Sequence, residues 1–247
     1  MSVLQTIRGF IRRNTALIHE KGSVEAYDLW AGSYDDQPDN LMFYLDNRIF
    51  GELMTTVNLK GKNVADIGCG TGRHWPLLYQ QQVGNLTGYD VSGRMLERLH
   101  IKFPDAGLVK IISDDFLTDV PDATYDAIIS TLTIAHIENL AYALLEWCRI
   151  LKPQGEIIIT DFHPQALAAG GKRTFQHDRK LIGIRNHVHS TADLKELFIR
   201  SGFTVISETE RVIDESVKHF YEKQDALHVY NDFEGRPMIY GIHLKRL

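Results

Sequence analysis

The run Asp66-Ile67-Gly68-Cys69-Gly70-Thr71-Gly72 carries the strongest chemical signal in this chain. Glycines at alternate positions let a backbone turn approach a ligand with no Cβ in the way. Such turns, set between a strand and a helix, usually serve nucleotides. A dinucleotide site wants G-x-G-x-x-G, whose third glycine packs helix on strand while the pyrophosphate sits on the helix N-terminus. Counted from Gly68, that glycine would fall at position 73, where the chain has Arg73. The loop is instead G-x-G-x-G, with an acid two residues before it. Asp90 closes the next apolar run, Gly88-Tyr89-Asp90, where a carboxylate can accept from both hydroxyls of a ribose. Dinucleotide enzymes use the same position, so Asp90 alone does not discriminate. Asp114-Asp115-Phe116 follows the third run; either carboxylate could accept from an adenine amine, and the next N–H could reach a ring nitrogen.

A sulfonium cofactor would suit this loop, because it has no phosphate for a helix N-terminus to hold. Its amino-acid end carries an ammonium that Asp66 could orient, directly or through water. Candidate proton acceptors are histidines, whose ordinary pKa lies near neutrality. His136 follows the fourth apolar run and His163 the fifth. His187 and His189 alternate and share a face if their segment is extended. His163 leads, because Asp161-Phe162-His163-Pro164 leaves a buried strand directly at its edge; a packed core imidazole is the commoner role for any one of the four. No cysteine or acid cluster joins His163, His187 and His189, so no metal site is expected. Lys172, Arg173, Arg179, Lys180 and Arg185 make a basic segment that reads as a solvated loop, with an anionic acceptor as the alternative.

The elements that must hold these residues follow from periodicity. Residues 1–59 read as helical, with Leu41, Tyr44, Leu45, Ile49 and Leu53 at helical spacing. Residues 63–67, 86–90, 108–112, 125–130 and 156–162 read as strands, alternating with helices such as 140–151. Strands apolar on both faces imply a parallel sheet covered on both sides. Right-handed crossovers bring every strand-to-helix turn to one edge, where ligands bind at the point of strand-order reversal. Residues 163–190 break the rhythm as an inserted loop or hairpin. A helix over 191–201, capped by Ser190 or Thr191 and ended by Gly202, precedes strands at 205–212 and 238–244, with a turn at Gly235 and Pro237. The expected organisation is a helical cap over 1–59 and an α/β domain over 60–247 with the insert at about 163–190.

The chain has 247 residues, 44% hydrophobic and 24% charged, enough for one full core with an appended lid. Lysine and arginine number 27 against 32 aspartates and glutamates, a net charge of −5, which disfavours extended nucleic-acid binding. The two cysteines supply no disulfide framework, and no leader peptide is recognisable, so a reducing cytoplasm is expected. Val3, Leu4, Ile7, Phe10 and Ile11 have helical spacing beside Arg8, Arg12 and Arg13; a helix packed on the domain is favoured over one lying on a membrane. No apolar run reaches the length of a membrane span. A homodimer is left open.

Together these segments resemble the class I S-adenosylmethionine-dependent methyltransferases. VADIGCGTG is similar to their first motif, GYDVSGRML to their second, and SDDF with TYDAIIS to their third. LKPQGEIIITDF is similar to their L-K-P-G-G turn and fifth strand, with Gln154 in place of the first glycine. The resemblance is strong over about 60–162 and weaker through HSTADLKELFIRSGFTVI. It implies a doubly wound, seven-stranded, mostly parallel Rossmann-like sheet whose last strand is antiparallel. It implies S-adenosyl-L-methionine as cofactor and S-adenosyl-L-homocysteine as product. It places Asp66, Gly68, Cys69, Gly70, Asp90, Val91, Met95, Asp114, Asp115, Phe116, Ser130, Thr131 and Leu132 around the cofactor. The segment from Ala26 to Asp35 resembles the aromatic stretch that small-molecule members lay over the cofactor, making Tyr27 and Tyr34 lid candidates. The expected reaction is in-line methyl transfer to an oxygen or nitrogen of a small molecule. Methylation of tRNA or protein, and a non-catalytic cofactor sensor, are the alternatives.

Overall fold

The computed structural model describes residues 17–110 and 117–247. The apolar N-terminal stretch, the end of the third expected strand and Asp114-Asp115-Phe116 lie outside the described residues.

Short runs of β-branched and aromatic residues form the strands β2 (Asn63–Ile67), β3 (Asn85–Asp90), β4 (Gly107–Lys110), β5 (Tyr125–Thr131) and β6 (Leu151–Phe162), with β9 (Phe203–Val212) and β10 (Pro237–Arg246) completing one sheet. Its order is β4-β3-β2-β5-β6-β10-β9. The five strands from β4 to β6 run parallel, and β10 is antiparallel to both of its neighbours. Ala127, Ile128 and Ile129 on β5 and Ile157, Ile158 and Ile159 on β6 are fully buried, as central strands covered on both faces must be. The order reverses between β2 and β5, so the chain leaving β2 and the chain leaving β5 diverge and open a crevice there.

One face is covered by α2 (Leu41–Leu53), α3 (Trp75–Gln80) and α4 (Gly93–Lys102), the other by α5 (Leu140–Ile150) and α7 (Thr191–Arg200). Capping chemistry sets their starts. Asn40 accepts from the N–H groups of Met42 and Phe43, Ser92 from Met95, and Ser190 from Ala192 and Asp193.

A second sheet, order β1-β8-β7, packs beside α1 (Ser23–Trp30). β1 (Ile18–Lys21) comes from the N-terminal region, and β7 (Thr174–His177) and β8 (Lys180–Ile184) form an antiparallel hairpin inside the insert. β1 lies parallel to β8, with Ile18 opposite Leu181. With α1 and the short α6 (Pro164–Ala168), these strands make a roof whose aromatic residues, Trp30, Tyr34 and Phe175, join the core under α2 to α4.

Two expectations are corrected. The region before residue 60 is not wholly helical, because β1 pairs with a segment about 160 residues later and no local pattern reports such a partner. Between β9 and β10 the chain forms more than a turn. It folds into α8 (Lys218–Glu222) and α9 (Leu227–Phe233), each too short for helical periodicity to stand out.

Candidate functional site

A cavity of about 540 Å³ occupies the crevice between β2 and β5. Its floor is the glycine loop and the end of β3. Gly68 has φ +77°, and a Cβ there would come 2.0 Å from Thr133 Oγ1, so the loop after β5 rests directly on the glycine. Gly70 has φ +53° and open space where its Cβ would be, so this backbone is bare toward a ligand. The Gly70 N–H donates to Asp90 Oδ2 at 2.8 Å, and the Ser92 N–H donates to Asp90 Oδ1 at 2.8 Å. Each Asp90 oxygen keeps a further lone pair. Burial pushes Asp90 up to about 6 despite those two donors, and the nearby Asp28 carboxylate adds to the rise.

Asp66 is placed differently from the expectation. It does not line the cavity. Its Oδ2 accepts from the indole N–H of Trp75 at 2.7 Å, which anchors the start of α3 beneath the loop. Burial pushes this carboxyl up to about 7, the indole hydrogen bond opposing. Arg73, where a dinucleotide site would have glycine, reaches away to Asp46 on α2 and to Asn47, and stands over the Phe43 ring at 4.9 Å. Asp46 is wholly buried and also accepts from His74 at 2.7 Å and from Thr160. Arg73 and these hydrogen bonds hold its carboxyl well below the usual range against the cost of burial. That cluster fastens α2 to the far side of the glycine loop.

The roof is latched at its front edge by two carboxylates. Asp28 on α1 accepts from Ser92 Oγ at 2.6 Å and from the Arg94 N–H at 3.2 Å, at the N-terminus of α4. Asp35 accepts from Thr71 Oγ1 at 2.6 Å and from Lys102 at 2.9 Å. Behind them lies Arg173, 4% exposed, in a box of five rings: Tyr27, Trp30, Tyr34, Phe43 and Phe162. Its guanidinium donates to the Tyr27 hydroxyl at 2.8 Å, to the Tyr34 hydroxyl at 3.0 Å and to the Leu132 carbonyl at 3.4 Å. The reading of this arginine as part of a solvated basic loop is therefore corrected.

Of the histidines, His136 and His187 line the cavity, and His163 and His189 do not. His163 caps α6 through Nδ1, which accepts from the Gln165 N–H at 3.3 Å, and its Nε2 lies 3.5 Å from Glu210 on β9. Pro164 starts a helix at once, and the imidazole turns away from the crevice to serve it. His189 donates through Nε2 to the Ile137 carbonyl at 2.7 Å. His136 is the engaged one. Tyr27 accepts from Arg173, so its own proton is directed to His136 Nε2 at 2.8 Å, and His136 Nδ1–H donates to the Arg185 carbonyl at 3.2 Å. Burial, with Arg173 adding to it, pushes His136 down to about 3.

Tyr27, Tyr34, Gly68, Gly70, Asp90, Val91, Met95, Thr131 and Leu132 all line the cavity. Cys69 and Ser130 do not; Ser130 is fully buried, donating to the Ile67 carbonyl at 2.9 Å to tie β5 to the end of β2. Sequence reasoning passed over Thr133, Asn139, Tyr142 and the rim residue Glu138, while Arg185, read as part of the basic segment, also lines the cavity. The only signal of the four passed over is that they follow β5 at the ligand edge. Among the described residues no group of histidines, cysteines and acids could hold a metal ion, and no helix is long and apolar enough to cross a membrane.

Residues 65–159 match the family model described as "Methyltransferase domain". An uncharacterized protein of Haemophilus influenzae is 26% identical over 171 residues, covering 66% of this chain and 67% of that protein. An uncharacterized methyltransferase of Mycobacterium tuberculosis is 27% identical over 135 residues, covering 55% of this chain and 66% of that one. The chain thus spans about two thirds of the length of these curated relatives. The crystal structure of an S-adenosylmethionine dependent methyltransferase from Mesorhizobium loti superposes with a TM-score of 0.61 at 19% identity, covering 80% of this chain and 97% of that one.

Proposed function

We propose that residues 65–159, which match the methyltransferase-domain model, are of the class I, S-adenosylmethionine-dependent kind, and that this chain methylates an oxygen or nitrogen of a small molecule. The observation that carries the small-molecule reading is the roof. The cavity is bounded on that side by α1 residues such as Ser23, Val24 and Tyr27, by Tyr34, and by Arg185 and His187 just after β8, leaving a chamber scaled to a cofactor and a compact acceptor.

The residues present fit the cofactor. The open backbone at Gly70 is a cradle that a Cβ would fill, and Asp90 is held by two N–H groups with lone pairs to spare for a ribose. Gly68 and Gly70 would hold the amino-acid end, Asp90 the ribose, and Val91, Met95 and Leu132 its apolar surroundings. Asp114, Asp115 and Phe116, outside the described residues, remain the expected adenine contacts. The cofactor supplies a methyl group on positively charged sulfur, a carbon already activated for displacement.

The protein's own work is then alignment and exclusion of water. Asp28 and Asp35 hold the roof down on the ends of β3 and the glycine loop. Tyr27 and Tyr34 present fixed hydroxyls to the chamber, oriented from behind by Arg173. His136 does not serve as a free base, because its Nε2 is engaged by Tyr27 and it is held neutral. His187 is the remaining histidine on the chamber wall. The two free cysteines suit a reducing compartment such as the cytoplasm.

Calorimetry with S-adenosylhomocysteine and with NAD tests the donor; binding of NAD with no response to the homocysteine nucleoside would overturn it. Labelled cofactor incubated with metabolite, RNA and protein fractions tests the acceptor. Label in the metabolite fraction is expected. Label in RNA or protein would make this a macromolecule methyltransferase, and none in any fraction would favour a sensor.

A further inference from the structure

Arg173 is a full positive charge taken out of water, a costly placement unless something compensates it. Among the described residues no carboxylate forms an ion pair with it. The acid that acts on it, Asp161, makes its hydrogen bonds to the backbone instead: Oδ2 accepts from the Ala135 N–H at 2.8 Å and Oδ1 from the Phe162 N–H at 2.6 Å. Burial further pushes Asp161 up to about 7, so its own charge is incomplete near neutrality. Ring faces and two neutral hydroxyls stabilise a guanidinium, but they do not cancel its charge. The wall of the chamber formed by Tyr27, Tyr34 and Leu132 therefore keeps a positive bias, and Arg185 and His187 also line the chamber. The acids of the chamber are elsewhere in role: Asp90 is pinned to the floor, and Glu138 sits on the rim.

We infer that Arg173, acting through the Tyr34 hydroxyl, which accepts from the guanidinium and keeps its own proton to donate, makes the roof side of the chamber a recognition element for a carboxylate of the acceptor, so that the molecule methylated is a small organic acid. This rests on the small-molecule reading above. The chemistry is consistent with what the chamber lacks. An alcohol would have to lose a proton to a base, and the Tyr27–His136 pair is already spent in a one-way chain of donors from Arg173 to the Arg185 carbonyl. A carboxylate needs no deprotonation. One of its oxygens gives an electron pair to the methyl carbon, the carbon–sulfur bond breaks with its pair moving to sulfur, and a methyl ester and a neutral thioether result with no proton released. An ammonium-bearing acceptor would meet like charge on this wall.

The test uses the full chain saturated with S-adenosylhomocysteine and titrated calorimetrically with benzoate and hexanoate, each against its amide and against hexylamine. The acids are expected to bind about tenfold or more tightly than their amides, and the amine weakest. Arg173→Gln should abolish that ratio, Tyr34→Phe should reduce it, and Arg173→Lys should keep part of it. Affinity for S-adenosylhomocysteine should change by less than about twofold in Arg173→Gln. If that variant does not fold, Arg173→Lys and Tyr34→Phe carry the comparison. Equal binding of acid and amide by the native chain overturns the inference. So does an Arg173→Gln variant that loses S-adenosylhomocysteine while keeping the acid-to-amide ratio, which would assign the arginine to the cofactor's own carboxylate. Failure of the native chain to bind S-adenosylhomocysteine at all would instead sink the methyltransferase reading.

Discussion

The floor and the roof of the cavity are built from opposite kinds of contact. The floor joins near neighbours: Gly70 to Asp90, Asp66 to Trp75, Ser92 to Asp90, all within one strand-helix-strand unit. The roof joins strangers. Arg173 meets Tyr27 across 146 positions of sequence and Tyr34 across 139. The floor can be shaped before the rest of the chain is in place, whereas the roof exists only when the N-terminal region and the insert come together. A floor substitution should therefore act on the cofactor, and a roof substitution on the closure of the chamber.

The largest effect expected is at Trp30, which is 1% exposed and stacks on Phe175 at 4.7 Å with the rings nearly parallel. Trp30→Ala should destabilise the roof by about 3–5 kcal/mol. Hydrogen exchange should show β1, β7 and β8 losing protection while β2, β5 and β6 keep theirs. Equal loss in both sheets would break the division between floor and roof. Asp90→Ala should weaken S-adenosylhomocysteine binding by about 1.5–3 kcal/mol, read by calorimetry, without altering exchange in the roof. An unchanged affinity would mean that the carboxylate only shapes the loop.

Asp66 gives a pH test of the floor. Its folded pKa lies above its ordinary value, so the folded state holds the proton more tightly than the unfolded state between about 4 and 7, and stability falls as pH rises through that window. Asp66→Asn keeps an acceptor for the Trp75 indole and removes the ionisation. It should gain on the order of 2 kcal/mol over the native chain at pH 8 and nothing at pH 4, measured by denaturant unfolding at both. A gain of equal size at the two pH values would point to packing rather than charge. The smallest effect is at the latch: Asp28→Ala should cost about 1 kcal/mol and raise exchange in α1 ahead of every other roof element. Unaltered exchange there would show the latch to be idle.

This contrast also explains what could be read from the sequence. The floor was legible because its signals are local: alternating glycines, an acid at a strand end, apolar runs at regular intervals. Even there, side-chain direction was not. Asp66 sits at the expected point of the backbone, but strand alternation and the indole of Trp75 turn it beneath the loop. His163 was placed correctly at the edge of β6 and wrongly in role, because Pro164 commits the imidazole to capping a helix. In the roof, nothing near Arg173 separates it from Lys172 or Arg179, which share its composition but not its burial. Its distinction lies in Tyr27, Trp30 and Tyr34, and only the fold brings them to it.

The pairing of β1 with β8 has a consequence in time. During synthesis residues 18–21 leave the ribosome early, yet the strand they join is completed only after about 160 more residues have followed. Closing so long a loop is entropically dear and gains nothing until the hairpin exists to receive it. The parallel strands from β2 to β6 can associate in the meantime. A nascent chain would thus pass through a stage with a formed glycine loop and no cover, able to take up a nucleoside ligand before it can shut one in.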